Sequence, residues 1–232
     1  MAKKICMIAH RGYSGKYYQN TELAFVKAGE HKSGGAETDI RVTKDGILVC
    51  SHNSEAVFED GTELLVADAT YAELTAKPLK NPLTDDKVYL CTFKTYLETM
   101  KRFNMICFIE LKGSFDDEKE KKVYDEIKKY YDISKCILQS FDFDNLIRMK
   151  KTYPDLPLMY TYGTGESHYE RCFDYGISID ADKYVLTEDM IREFHEHGLE
   201  AGVWTVNDKE WLAKMKETDI DYIESDFFGG ED

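Results

Sequence analysis

The stretch Lys4-Ile5-Cys6-Met7-Ile8-Ala9-His10-Arg11-Gly12 decides the fold. A short apolar run bounded by polar residues reads as a buried strand. No Gly-rich phosphate fingerprint follows this run, whose next glycines stand at 12 and 15 with His10 before them. An open, doubly wound nucleotide-binding sheet would place a Gly-x-Gly-x-x-Gly turn there. Working outward, the same kind of run recurs. Candidate strands are 4–9, 36–40, 105–111, 136–139, 158–160, 176–180, 200–205 and 221–224, with a further short run, 47–51, extending or following the second. Amphipathic stretches lie between them. Asn20-Thr21 caps a helix burying Ala24, Phe25 and Ala28; Phe93, Leu97, Met100 and Phe103 share a face after Thr92. Residues 116–131 form a charged helix, Asp142 and Thr187 start two more, and Asn207-x-x-Glu210 reads as a capping box. Eight strands alternating with helices predict a parallel sheet. Without a dinucleotide turn, the closed TIM (β/α)8 barrel is favoured over the open sheet. Residues 53–91, with Gly61, Pro78 and Pro82, break the rhythm. They are expected to form a small insertion after the second strand of a single barrel domain spanning 1–232. Six residues follow Asp226, so a shortened or missing last helix is expected. The apolar flank this leaves would be covered by a homodimer.

Composition narrows the function. Charged residues make up 32% and hydrophobic ones 43% of 232, enough for a sizeable core. No apolar run reaches the ~18 residues of a membrane span, so stable membrane insertion is not expected. The apolar stretch at the start is too short for a signal peptide. Cysteines at 6, 50, 91, 107, 136 and 172 form no close pair in sequence and mostly fall in apolar runs. They read as buried thiols of a cytoplasmic protein. A net charge of −14 repels nucleic acid and anionic membranes. A phosphate-bearing substrate would need a cation supplied by the site.

In a barrel, active groups gather where strands end. Glu37 and Asp39, two apart on a strand, face one side. Pointing inward together, they would repel unless paired. One reading is a divalent ion with Glu110, at the end of the neighbouring strand, as third oxygen donor; an all-oxygen set selects Mg2+ or Ca2+. The other is a plain ion pair of Glu37 with Arg41 or Lys112. His10 and His52, at strand ends beside these acids, could divide the work of base and acid in phosphodiester cleavage. Arg11 and Lys112 suit phosphate oxygens, and Trp204 suits either an apolar wall for the alcohol of the substrate or the packing of the core. Tyr13, Tyr17 and Tyr18 could line the entrance or pack the first loop. Asp226 could orient Arg11 or a histidine, and Gln139 could reach the site. His31, His168, His195 and His197 read as surface residues.

Taken together, Ala9-His10-Arg11-Gly12, Asn20-Thr21-x-x-Ala24-Phe25, Gly35-Ala36-Glu37-Thr38-Asp39, Thr43-Lys44-Asp45-Gly46 through Val49 to His52, Ile109-Glu110-Leu111-Lys112, Gln139-Ser140-Phe141, Val203-Trp204-Thr205-Val206-Asn207 and Asp221-x-x-x-Ser225-Asp226 resemble the glycerophosphodiester phosphodiesterase family across nearly the whole chain. The resemblance implies a TIM barrel with an insertion after its second strand. It implies Glu37, Asp39 and Glu110 as metal ligands, His10 and His52 as acid and base, and Arg11 and Lys112 on the phosphate. The implied reaction is hydrolysis of a glycerophosphodiester to glycerol 3-phosphate and an alcohol. Three features depart from the family pattern: Tyr18-Gln19 stands where Pro-Glu is usual, Asn53 follows His52 where an aspartate is usual, and the final helix is short or missing. Two rival readings differ in product. A lyase similar to phospholipase D toxins or phospholipases C would leave a cyclic phosphate. A catalytically weak phosphate-binding barrel would turn nothing over.

Overall fold

The computed structural model describes residues 5–113, 115–165 and 168–227. Among the described residues twelve strands run in chain order: β1 (Cys6–Ala9), β2 (Gly35–Val42), β3 (Leu48–Cys50), β4 (Glu55–Val57), β5 (Glu63–Leu65), β6 (Cys91–Thr92), β7 (Ile106–Leu111), β8 (Cys136–Ser140), β9 (Leu158–Tyr162), β10 (Ser178–Asp182), β11 (Ala201–Trp204) and β12 (Tyr222–Ser225). Eight of them, β1, β2 and β7 to β12, pair in parallel around a closed ring, with β1 bonded to both β12 and β2. The closed barrel expected from the sequence is therefore observed.

Helices α1 (Glu22–Glu30), α2 (Tyr71–Leu74), α3 (Phe93–Phe103), α4 (Asp117–Tyr130), α5 (Phe143–Thr152), α6 (Arg171–Tyr175), α7 (Glu188–Glu196) and α8 (Lys209–Lys216) fill the connections. Their starts are chemically marked. Thr21, Thr92, Asp116, Asp142, Thr187 and Asp208 each accept a backbone N–H of the first turn, satisfying donors a helix end leaves open. The five-residue α6 escapes a periodicity reading because it is little more than one turn. Gly176, read as the start of a strand, ends α6 in the left-handed conformation at φ 60°, and β10 begins two residues later.

Alternation along the strands builds two cores. Outward residues such as Ala9, Ala36, Ile109, Leu138, Ile179, Val203 and Ile223 are buried under the helices. Inward residues Ile8, Phe108, Ile137, Met159 and Tyr222 plug the lower barrel. One layer up, towards the strand ends, the inward positions turn polar: Glu37, Asp39, Glu110, Gln139, Asp180 and Glu224, all buried. Side chains in neighbouring parallel strands share a face at matched register, and Asp39↔Glu110 and Glu110↔Gln139 are such matches.

Between β2 and α3 the chain makes a lobe. β3 pairs antiparallel with β2 and β6 with β3. Beyond this ribbon the β4–β5 hairpin and α2 enclose a small core of Val49, Phe58, Val66, Leu74, Leu79 and Leu90. Residues 228–232, on which the expectation about a last helix rests, lie outside the described residues. Along the seam of β1 and β12, Ala9 and Ile223 are buried and Met7 is half-buried within one chain. Among the described residues no helix is long and apolar enough to cross a membrane.

Candidate active site

β1 delivers His10 to the barrel mouth, and the chain then reverses sharply. Arg11 takes φ 56° and Gly12 φ 77°, conformations that cost a side chain about 1–3 kcal/mol. At Gly12 a Cβ would also lie 2.8 Å from the backbone of Ala24. The turn aims the Arg11 backbone N–H at Glu37 Oε2, 2.9 Å away. The Arg11 guanidinium donates to Gln19 Oε1 at 2.8 Å, and its Nε stands 3.4 Å from Asp39 Oδ2. Gln19, one of the departures from the family pattern, thus holds the arginine as a neutral acceptor.

Glu37, Asp39 and Glu110 bring ligand oxygens within 4.8 Å of one another. Asp39 Oδ2 accepts from Asn20 Nδ2 at 2.7 Å. Asp39 Oδ1 is buried without a hydrogen bond, with Lys112 Nζ 3.3 Å away. Lys112 pairs with Glu110 at 2.6 Å. The alternative of a plain pair between Glu37 and Arg41 or Lys112 is not what forms: Lys112 goes to Glu110 and Asp39, and Arg41 donates to the carbonyl oxygen of His52 at 2.7 Å. Burial, then the neighbouring Asp39, pushes Glu37 well above the ordinary carboxylate range. Burial pushes Glu110 to about 7 against the pull of Lys112. Lys112 itself is desolvated, yet Glu110 and Asp39 outweigh that and hold its ammonium more firmly protonated than usual. Crowded, dry carboxylates with an unbonded oxygen are the donor set a hard divalent cation satisfies, so the residues fit such an ion.

The histidines are held differently. His10 Nδ1 lies 2.6 Å from Asp226 Oδ1. Asp226 is anchored in turn by Ser14 Oγ at 2.8 Å and by Asn207, which donates Nδ2–H to Oδ2 at 2.6 Å and accepts the Asp226 backbone N–H. The His10, Ser14 and Asn207 bonds outweigh burial and depress the Asp226 carboxyl to about 2. Asn207, read as a helix cap, is therefore an orienting residue; Asp208 takes the cap of α8. Such orienting partners fix which ring nitrogen of a histidine is free. His10 also falls in a second close group with Glu37 and Glu224. His52 has Nδ1 3.0 Å from Asn53 Oδ1, so the second departure is again a neutral partner to a site residue. Burial lowers the pKa of His52, against the bond to Asn53 and the charge of Asp39. A narrow groove lined by Tyr18, Gln19, Asn53 and Glu55 opens beside His52.

Tyr13 is core, in edge contact with Tyr17 and His31, so of the three tyrosines it is Tyr18 that borders the groove. Trp204 sends Nε1–H to the carbonyl oxygen of Asp180 and meets Phe141 edge-on at 5.7 Å. Lys112 Nζ lies 5.5 Å from the centre of the Phe141 ring. His195 pairs with Asp221 at 2.9 Å rather than standing free on the surface. Gln139 reaches Asp180 Oδ2 at 2.8 Å and Glu224 Oε1 at 3.4 Å. Those two acids are held well up by burial. The sequence reading missed both, although each lies inside a short strand run, Asp180 between Ile179 and Ala181 and Glu224 between Ile223 and Ser225.

Comparison with known proteins agrees with this geometry. A model of the glycerophosphoryl diester phosphodiesterase family matches residues 10–229. A glycerophosphodiester phosphodiesterase of Caldanaerobacter subterraneus is 27% identical over 231 residues, covering 96% of this chain and 94% of that protein. Human glycerophosphodiester phosphodiesterase 1 is 28% identical, covering 88% and 72%. The crystal structure of a glycerophosphodiester phosphodiesterase from Thermotoga maritima aligns with a TM-score of 0.78 at 28% identity, over 97% and 96% of the two chains. An Oleispira antarctica phosphodiesterase, solved in complex with the product sn-glycerol-3-phosphate, shares the fold at a TM-score of 0.84 and 20% identity, over 95% and 92%. A closed barrel with buried acids and two histidines at its mouth, and a family match running from His10 almost to the end, place this chain in the glycerophosphoryl diester phosphodiesterase family, as a phosphoric diester hydrolase.

Proposed function

We propose that this chain hydrolyses glycerophosphodiesters to glycerol 3-phosphate and an alcohol, with a divalent ion, Mg2+ or Ca2+, held by Glu37, Asp39 and Glu110. The observation that carries the proposal is the convergence of those three buried carboxylates, one with an unbonded oxygen. Bound there, the ion would supply positive charge to the phosphate and polarise its oxygens. The Oleispira antarctica protein, which holds sn-glycerol-3-phosphate on the same fold, supports the choice of product.

The remaining work belongs to the protein's own groups. Arg11 and Lys112 bind phosphate oxygens. His52, kept neutral near pH 7 by burial, accepts a proton from the attacking water as its oxygen bonds to phosphorus. His10, with Nδ1 tied to Asp226, presents Nε2 and gives a proton to the alcohol oxygen as its bond to phosphorus breaks. Trp204 and Phe141 form the apolar wall against which the organic part of the substrate rests. Phosphorus NMR of glycerophosphocholine, with magnesium or calcium and with EDTA, tests the proposal. A monoester that appears only with the ion is expected. Turnover untouched by chelation would overturn the ion's role, a lasting cyclic phosphate would move the reaction to the lyase type, and equal inactivity of wild type and His10→Ala on a panel of diesters would leave only a binding barrel.

A further inference from the structure

Beside the catalytic groups lies a cavity of about 470 Å³, between the insertion lobe and the loop from β7 to α4. Its charged lining is Arg41, Lys44, Lys112 and Lys119 against one carboxylate, Asp68. In a chain with 44 acidic and 30 basic residues, a concave surface with four cations to one anion runs against composition. The acidic cluster explains only part of it. Lys112 neutralises Glu110 and Asp39. Arg41 is half-buried and donates to the carbonyl oxygen of His52, and the charges of Asp39, Glu55 and Glu110 act on it without a direct ion pair. Lys44 is exposed on the turn after β2, and Lys119, on the first turn of α4, stands 3.2 Å from the exposed Asp116. Neither of these last two is needed to neutralise the site. Lys112 belongs to both regions, so the cavity continues directly from the place proposed for the phosphate.

From this placement we infer that the cavity is a second anion subsite, and that the substrates served best carry a second phosphate group beyond the scissile diester. The inference rests on the hydrolase reading above and adds a substrate class to it. Concave basic walls beside a phosphate site focus the field and favour polyanions over singly charged analogues.

The test uses Lys44→Glu and Lys119→Glu, neither of which touches the proposed reacting groups. Three diesters are compared at low salt: glycerophosphocholine, a diester whose alcohol ends in a phosphate monoester, and one in which a second phosphodiester follows. Wild type is expected to prefer at least one two-phosphate substrate. Each charge reversal should lower kcat/KM on it about tenfold while changing glycerophosphocholine turnover less than about twofold. Which of the two is preferred tells whether the second group is terminal or part of a chain. No preference in wild type, or equal losses on all three, overturns the subsite while turnover of glycerophosphocholine leaves the hydrolase standing. Should no diester be cleaved, the hydrolase reading fails by itself. Calorimetry with inorganic pyrophosphate then decides the cavity: weaker binding by K44E supports it, and unchanged binding overturns it.

Discussion

At the residue scale, the two histidines differ in the partner placed on Nδ1. His10 faces a carboxylate, Asp226, that is itself locked by Ser14 and Asn207. His52 faces the neutral amide of Asn53. Asp226→Asn keeps the shape but offers His10 no anion, so kcat should drop at least about tenfold with KM little changed. Steady-state kinetics beside an unchanged circular dichroism spectrum would show it; a full-rate variant would remove Asp226 from the mechanism. His52 supplies a pH prediction. Burial lowers its pKa, so the acidic limb of kcat/KM should fall below the ordinary imidazole value of ~6.5. Asn53→Asp would favour the imidazolium and move that limb upward. A limb at or above ~6.5, or one that Asn53→Asp leaves in place, contradicts the assignment. These partners show where the sequence stops being readable. Glu37 and Asp39 were legible because strand side chains alternate. Asn20 and Asn207 carry the sequence signs of helix caps, yet Thr21 and Asp208 do that work. The amides are thereby free to bond carboxylates 19 residues away in each case. Local pattern cannot report a contact that exists only once the ring has closed; the reading that Asp226 orients Arg11 or a histidine came from its place after the last strand, and only ring closure gives it His10, 216 residues away, as its partner.

At the scale of elements, the site depends on the turn between β1 and α1 as much as on the strands. Gly12 has no room for a Cβ against Ala24 and sits in the left-handed region. Gly12→Ala should therefore cost about 2–5 kcal/mol, from strain and overlap together. It should also disturb the Arg11 N–H bond to Glu37, lowering metal affinity along with thermal stability. A variant with wild-type melting temperature and metal affinity would show that the turn relaxes freely. Eight strands and their order were readable because buried parallel strands are short apolar runs separated by helical periodicity. In the lobe between β2 and α3, β3 was readable as the short run 47–51, and the rest only as an interruption. Its strands are two or three residues long, too short to show any period. Its helix α2 is a single turn fastened by a capping box at Thr70 and Glu73. What holds it is a small core of residues distant in sequence, which no local window contains.

For the whole molecule, the upper barrel layer concentrates Glu37, Glu110, Asp180 and Glu224 out of water, and burial is the first cause of the raised pKa of each. That makes stability depend on pH in a direction opposite to most carboxylates. Glu110 is the clearest case: its ordinary value is 4.5 and its folded value about 7. Between those values the folded state holds a proton that the unfolded chain has released. Its contribution is therefore present below about 4.5 and lost as pH rises through about 7. The size for this one group is about 3 kcal/mol, an upper figure for a side chain that retains some contact with water. Asp226 works the other way in a lower window. Its carboxyl is depressed to about 2, so its contribution is present above its ordinary value and disappears only as pH falls towards 2. In EDTA, then, the melting temperature should decline from pH 5 to pH 7.5. Magnesium or calcium should reverse the decline, because an ion that binds only the folded, ionised cluster adds about 2.7 kcal/mol at a hundredfold excess over its dissociation constant. The gain should be larger at pH 7.5 than at pH 5, where protons compete for the same oxygens. Thermal unfolding across this range, with and without the ion, separates a cation site from a set of neutral acids that merely share protons. A melting temperature that stays flat in EDTA would mean that burial does not hold these acids protonated, and an ion effect no greater at the higher pH would mean that Glu37, Asp39 and Glu110 are not metal ligands.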